Sequence, residues 1–111
     1  MAAINRTITI AAGATDSPVV EALELAPAVS VLILPPATLP ETVNVVVSDT
    51  PTGTFVVLQT DGSDVVLTAA KALQITVLSG CYWKLRSTTG VGVGGRAFGV
   101  IVNRIGEPYL P

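Results

Sequence analysis

The sequence predicts an all-β domain: an antiparallel β-sandwich or jelly roll of about eight or nine short strands with extended terminal arms. Three observations carry this. Apolar residues alternate with polar ones at period two in several short runs, as in Val43-Asn44-Val45 and Leu73-Gln74-Ile75-Thr76-Val77. Clusters of Gly, Pro, Asp, Ser and Thr punctuate the chain about every eight to twelve residues. The runs are rich in β-branched residues, which suit a pleated surface.

The elements follow in order. Residues 1–6 read as an N-terminal arm, 7–104 as the sandwich domain and 105–111 as an extended C-terminal tail. Thr7–Ile10 is a first strand with Ile8 and Ile10 inward. Ser17–Leu25 admits two readings: Ser17-Pro18 resembles a helix N-cap followed by proline, yet the run stops at Ala26-Pro27, and a strand is expected. Val29–Leu34 is near-continuously apolar and reads as a strand covered on both faces. Pro35, Pro36 and Pro40 bar a ladder, so 35–40 is expected to cross between sheets.

Thr42–Gln59 is the stretch around which the rest is organised. Val43, Val45 and Val47 form one apolar face, Asp49-Thr50-Pro51-Thr52-Gly53 supplies the turn, and Thr54–Leu58 returns as the second strand of a hairpin. Further turns are expected at Thr60–Asp64 and Ser79-Gly80. Cys81, Trp83 and Leu85 share one face of the next strand, with Tyr82, Lys84 and Arg86 opposite. The last strand, Arg96–Arg104, turns Phe98, Val100 and Val102 inward. The expected core is Val45, Val47, Phe55, Ile75, Trp83, Leu85, Phe98 and Val100.

Composition narrows the function. Of the 111 residues only 13% are charged and half are hydrophobic, with a mean hydropathy of +0.65. No uninterrupted apolar run approaches the roughly 18 residues of a spanning helix, and Arg6 stands where a signal peptide would need an apolar core. The expectation is a soluble protein made in the cytoplasm, with no membrane partner. Some of its surplus apolar surface is expected to be covered by other protein copies, as a homo-oligomer. Six scattered basic residues and a net charge of −2 offer no footprint for nucleic acid.

Chemistry is scarce. Without any histidine, neither a Ser-His-Asp nor a Cys-His arrangement can form, and no enzyme is expected. Glu21, Glu24, Glu41, Asp49, Asp61 and Asp64 include no evident catalytic pair. Asp49, Asp61 and Asp64 lack EF-hand spacing and read as turn formers, not metal ligands. Gly90-Val91-Gly92-Val93-Gly94-Gly95 satisfies G-x-G-x-x-G, but it leads into a strand rather than a helix, so no nucleotide cofactor is implied. It reads as a mobile loop. The lone Cys81 reads as an inert, buried thiol. Tyr82, Trp83 or Tyr109 would suit a sugar-stacking platform if exposed, which keeps a glycan-binding module as the alternative.

A resemblance enters at Val47-Ser48-Asp49, Gly53-Thr54-Phe55, Tyr82-Trp83-Lys84-Leu85-Arg86-Ser87, Arg96 and Val100-Ile101-Val102-Asn103-Arg104. In this order they resemble the small head decoration, or cement, proteins of tailed bacteriophages and related β-sandwich appendages, over roughly residues 7–104. The resemblance implies a structural protein on the capsid exterior that bridges major capsid protein subunits and needs no cofactor. It also implies a dimer or trimer. The expected contact segments are 1–6, 90–95 and 107–111, with Arg6, Gly92, Gly94, Tyr109 and Leu110 among them. Lys84, Arg86, Arg96 and Arg104 are expected to point outward toward an acidic shell. The alternative is a receptor- or glycan-binding module of a head fibre or tail appendage.

Overall fold

The computed structural model describes residues 4–21, 28–78, 81–92 and 94–105. Among them there are eleven strands and no helix, hence no helix long and apolar enough to cross a membrane. The strands are β1 (Ile4–Ile10), β2 (Val20–Glu21), β3 (Ala28–Leu34), β4 (Val43–Ser48), β5 (Val56–Val57), β6 (Gln59–Thr60), β7 (Ser63–Asp64), β8 (Val66–Leu67), β9 (Leu73–Leu78), β10 (Tyr82–Ser87) and β11 (Arg96–Ile105). The number exceeds the sequence expectation because one segment is interrupted. β5 and β8 both pair with β4, and between them β6 and β7 form a small hairpin of their own. Asp61 and Gly62 at its tip have φ of 54° and 79°, the positive values that a two-residue type I′ turn requires.

With β5 to β8 taken as one interrupted strand, the topology is a long hairpin rolled up on itself. β4 pairs β5 and β8 at the tip, then β3 pairs β9, β2 pairs β10 and β1 pairs β11, all antiparallel. Rolling this ribbon produces two sheets, ordered β1-β11-β3-β9 and β2-β10-β4-β5, with β8 continuing the β5 margin. This is a jelly-roll sandwich, and the Thr42–Gln59 hairpin is its tip. The proline-rich 35–42 connection does cross from the first sheet to the second, and Pro36 accepts a backbone hydrogen bond from Ala70.

The core lies between the sheets. Ile8, Ile10, Val31, Ile33, Ile75, Val77, Phe98, Val100 and Val102 from the first sheet meet Val20, Val43, Val45, Leu67, Trp83 and Leu85 from the second. Each set follows the period-two rule, so one face of each long strand is withdrawn from water, while β5, β6 and β7 stay exposed. Trp83, the largest of them, is 1% exposed. Val47 and Cys81 are partly buried against this cluster.

Four expectations need correction. Ile4, Asn5 and Arg6 are not part of an arm: they extend β1, opposite Val102, Ile101 and Val100. β3 is not covered on both faces; Val31 and Ile33 are buried, but Leu34 is 42% exposed, because the first sheet has one outer face. The strand expected over Ser17–Leu25 is confined, within the described residues, to Val20–Glu21. Ser17 prepares it instead. Its N–H donates to the Leu85 carbonyl, its Oγ accepts from the Leu85 N–H at 2.9 Å, and so it extends the β10 edge past Pro18. Val47, expected within the core, is only partly buried against it, beside the exposed Val56, whereas Phe55 is buried as expected, though outside the inter-sheet cluster. The expectations for residues 1–3, for Ser79-Gly80 and for the tail beyond 105 lie outside the described residues.

Candidate functional site

The outer face of the second sheet carries the densest polar chemistry among the described residues. Antiparallel pairing places Lys84 beside Val46 and Arg86 beside Asn44, and residue 16 bridges to Arg86 on the other side of β10. Asp16 therefore meets both cations. Its Oδ2 lies 2.7 Å from Lys84 Nζ, and its Oδ1 accepts from Arg86 Nε at 3.1 Å. Lys84 Nζ also sits 4.4 Å from the centroid of the Phe55 ring, a cation–π geometry. Arg86 Nη1 donates to the Phe55 carbonyl. Phe55 thus folds over this outer face, sharing it with Val46, which is fully buried even though it points away from the inter-sheet core.

Burial works against ionisation of Asp16, but the hydrogen bonds from Arg86 and Lys84 outweigh it and hold the carboxyl below its ordinary value. A second pair has better geometry. Arg96, at the start of β11, makes a bidentate contact with Glu41, Nε to Oε1 at 2.8 Å and Nη2 to Oε2 at 2.9 Å. Hydrogen bonding from Arg96 is the main reason that the Glu41 carboxyl lies below its usual range. The Glu41 side chain is only 9% exposed, so this pair clamps the 35–42 crossover to the start of β11.

These contacts change the reading of the expected shell-facing cations. Lys84, Arg86 and Arg96 all have carboxylate partners within the chain. Arg6 is exposed on β1. Arg104 lies in β11 opposite Val29. Tyr109 and Leu110 fall outside the described residues. No alignment of charges along the strand could have revealed Asp16 as the partner, because it is 70 residues from Arg86 and meets it only after the ribbon rolls.

The glycine-rich connection is not a free loop. Val91 is 4% exposed and belongs to the core cluster. Its carbonyl accepts from Gly13 N–H and its N–H donates to the Ala14 carbonyl, stapling the β10–β11 connection to the β1–β2 connection. Gly95 has φ of 66°, and a Cβ there would stand 2.5 Å from the Ile10 carbonyl oxygen. Glycine is required at that position by conformation and by close approach. Gly90, Gly92 and Gly94 remain exposed.

The described residues include no group of three or more acidic or sulfur side chains that could hold a metal ion. Asp64 is engaged by Gln59 Nε2 at 2.8 Å. A groove of about 400 Å³ lies between the β6 strand, preceded by Leu58, and β9. Leu58, Gln59 and Thr60 form one bank and Gln74, Ile75 and Thr76 the other. It contains no aromatic, charged or nucleophilic side chain beyond the Thr hydroxyls, so it can offer hydrogen bonds and apolar contact but no acid–base chemistry.

Apolar surface is concentrated nearby. Val56, Val57 and Val66 are 58%, 38% and 44% exposed on the free margin of the second sheet. Compared with known proteins, the chain matches no family model, no curated protein and no solved structure.

Proposed function

We propose that the chain is a structural virion protein of a tailed phage, one that decorates the capsid by bridging major capsid protein subunits. The observation that carries this reading is where the adhesive surface lies. Three of the expected cations are neutralised internally, while three valines stand open on one sheet margin. A surface of that kind binds by desolvation, not by charge or chemistry. The jelly-roll scaffold suits the reading, since such sandwiches serve in viral shells, though they serve in lectins as well. The resemblance through residues 7–104 supplies the virion context.

The contact surface accordingly moves from the cations to Val56, Val57 and Val66, with Gly92 and Gly94 as secondary contacts. Purified protein is expected to add to expanded capsids at fixed stoichiometry and to raise their melting temperature. Val56→Lys/Val66→Lys is expected to weaken this addition by about tenfold or more, because two buried charges would lack partners. No binding by the wild-type protein overturns the proposal.

A glycan-binding module is the second reading, favoured by the amide and hydroxyl lining of the groove. It lacks a stacking platform there, since Trp83 is buried in the core. Saturable binding on a glycan array, lost in Gln74→Ala/Thr76→Ala, would establish it in place of the first.

A further inference from the structure

Edge strands expose unpaired N–H and C=O groups, and folded proteins usually guard them with charge, proline, bulges or brevity. Among the described residues, the margins differ sharply in this respect. β1 carries Arg6; β2, β5 and β8 are two residues each. β9 is six residues long, Leu-Gln-Ile-Thr-Val-Leu, pairs with β3 without a break in register, and contains neither charge nor proline. The groove runs along this unguarded margin.

We infer that β9 is a self-association edge: a second copy of this chain seats its own β9 antiparallel in the groove, about a two-fold axis centred on Ile75. The strand's own pattern selects this occupant. Antiparallel partners must share a face, so their residue numbers must sum to an even value. A sum of 150 sets Ile75 opposite Ile75, Leu73 opposite Val77, and Gln74 opposite Thr76. Leu73, Ile75 and Val77 face the inter-sheet core, so the apolar faces of the two copies become continuous. Gln74 and Thr76 are exposed on the outer face; the Gln74 Nε2 donates back to Ser30 Oγ at 2.8 Å, which leaves its Oε1 to accept from the Thr76 hydroxyl of the other copy. Neither bank of the groove carries a charge; Asp61 and Asp64 stand on the adjoining β6–β7 hairpin, with Asp64 held by Gln59 Nε2 at 2.8 Å. The β6–β7 hairpin of each copy then flanks the incoming strand. The interface is closed and isologous.

The inference does not depend on the virion reading, because it is tested with no capsid present. Light scattering on the full chain, from about 100 μM down to about 1 μM, should show a concentration-dependent dimer of the modest affinity that one strand pair gives. Gln74→Lys/Thr76→Lys places lysines opposite lysines and should raise the dimer dissociation constant about tenfold or more with the monomer still folded. Mixing it with Gln74→Glu/Thr76→Glu should restore a one-to-one dimer. In the wild type, hydrogen exchange in residues 73–78 should slow as concentration rises, which tests the seam without any substitution. A monomer throughout, a dimer indifferent to the lysines, or exchange at β9 independent of concentration overturns the inference.

Discussion

The two sheets solve the problem of their outer faces in opposite ways. On the second sheet, Val46 points away from the core and is still fully buried, because Phe55 folds over it and Lys84, Arg86 and Asp16 link across it. That sheet has a small second core of its own, roofed by the chain that follows β4. On the first sheet, the outward residues of β3 and β11 include Leu32, Leu34, Gly99 and Ile101, alongside Asn5, Thr7 and Thr9 of β1. Nothing in the described chain roofs them, and Leu34 is 42% exposed. A run of valines or leucines therefore does not reveal whether its second face is covered; that depends on what the neighbouring connection does.

The difference can be broken most severely at Phe55. Phe55→Ala removes the roof from Val46 and the ring beneath Lys84, and should cost about 3 kcal/mol of stability by denaturant unfolding. A loss under about 1 kcal/mol would mean that the outer cluster is decorative. Next in size is Asp16→Ala, which leaves Lys84, only 14% exposed at its side chain, without its carboxylate. A cost of about 1–3 kcal/mol is expected. Asp16→Asn should recover part of it by retaining a hydrogen-bond acceptor.

Acid should act on the same contacts. The Asp16 and Glu41 carboxyls both lie below their ordinary values in the folded chain, so the unfolded chain takes up protons first as pH falls. Their contribution is present in full above the unfolded values, about 4, and drains away as pH falls through the folded ones. Melting temperature should hold between about pH 6 and 5 and decline below about 4. In Asp16→Ala/Glu41→Ala the decline should be shallower. The smallest effect is expected on the open face: Leu34→Thr should change monomer stability by no more than about 0.5 kcal/mol.

Much of the fold was legible because strand alternation and turn chemistry are local. The Asp49–Gly53 turn, the Asp61-Gly62 tip, the proline crossover and the inward set led by Trp83, Leu85, Phe98 and Val100 all follow from residues within a few positions of one another. What escaped the sequence depends on contacts made only after rolling. Ile-Asn-Arg at 4–6 has no strand pattern and is strand only because Val100–Val102 lies alongside. Alternation assigns Phe55 to a face but does not say which face is inside. The pairings Asp16 with Lys84 and Arg86, and Glu41 with Arg96, join residues 55 to 70 positions apart. The glycine loop looked free because its glycines permit many conformations, whereas the single Val91 among them pins it.

The place of β11 in the first sheet has a consequence for how the chain is born. It lies between β1 and β3, so the strand made after every other described one must slot into the interior of its sheet. While the ribosome is still working through residues 96–105, β1 has no hydrogen-bonding neighbour and β3 lacks one of its two. The first sheet therefore cannot close until translation has passed Ile105.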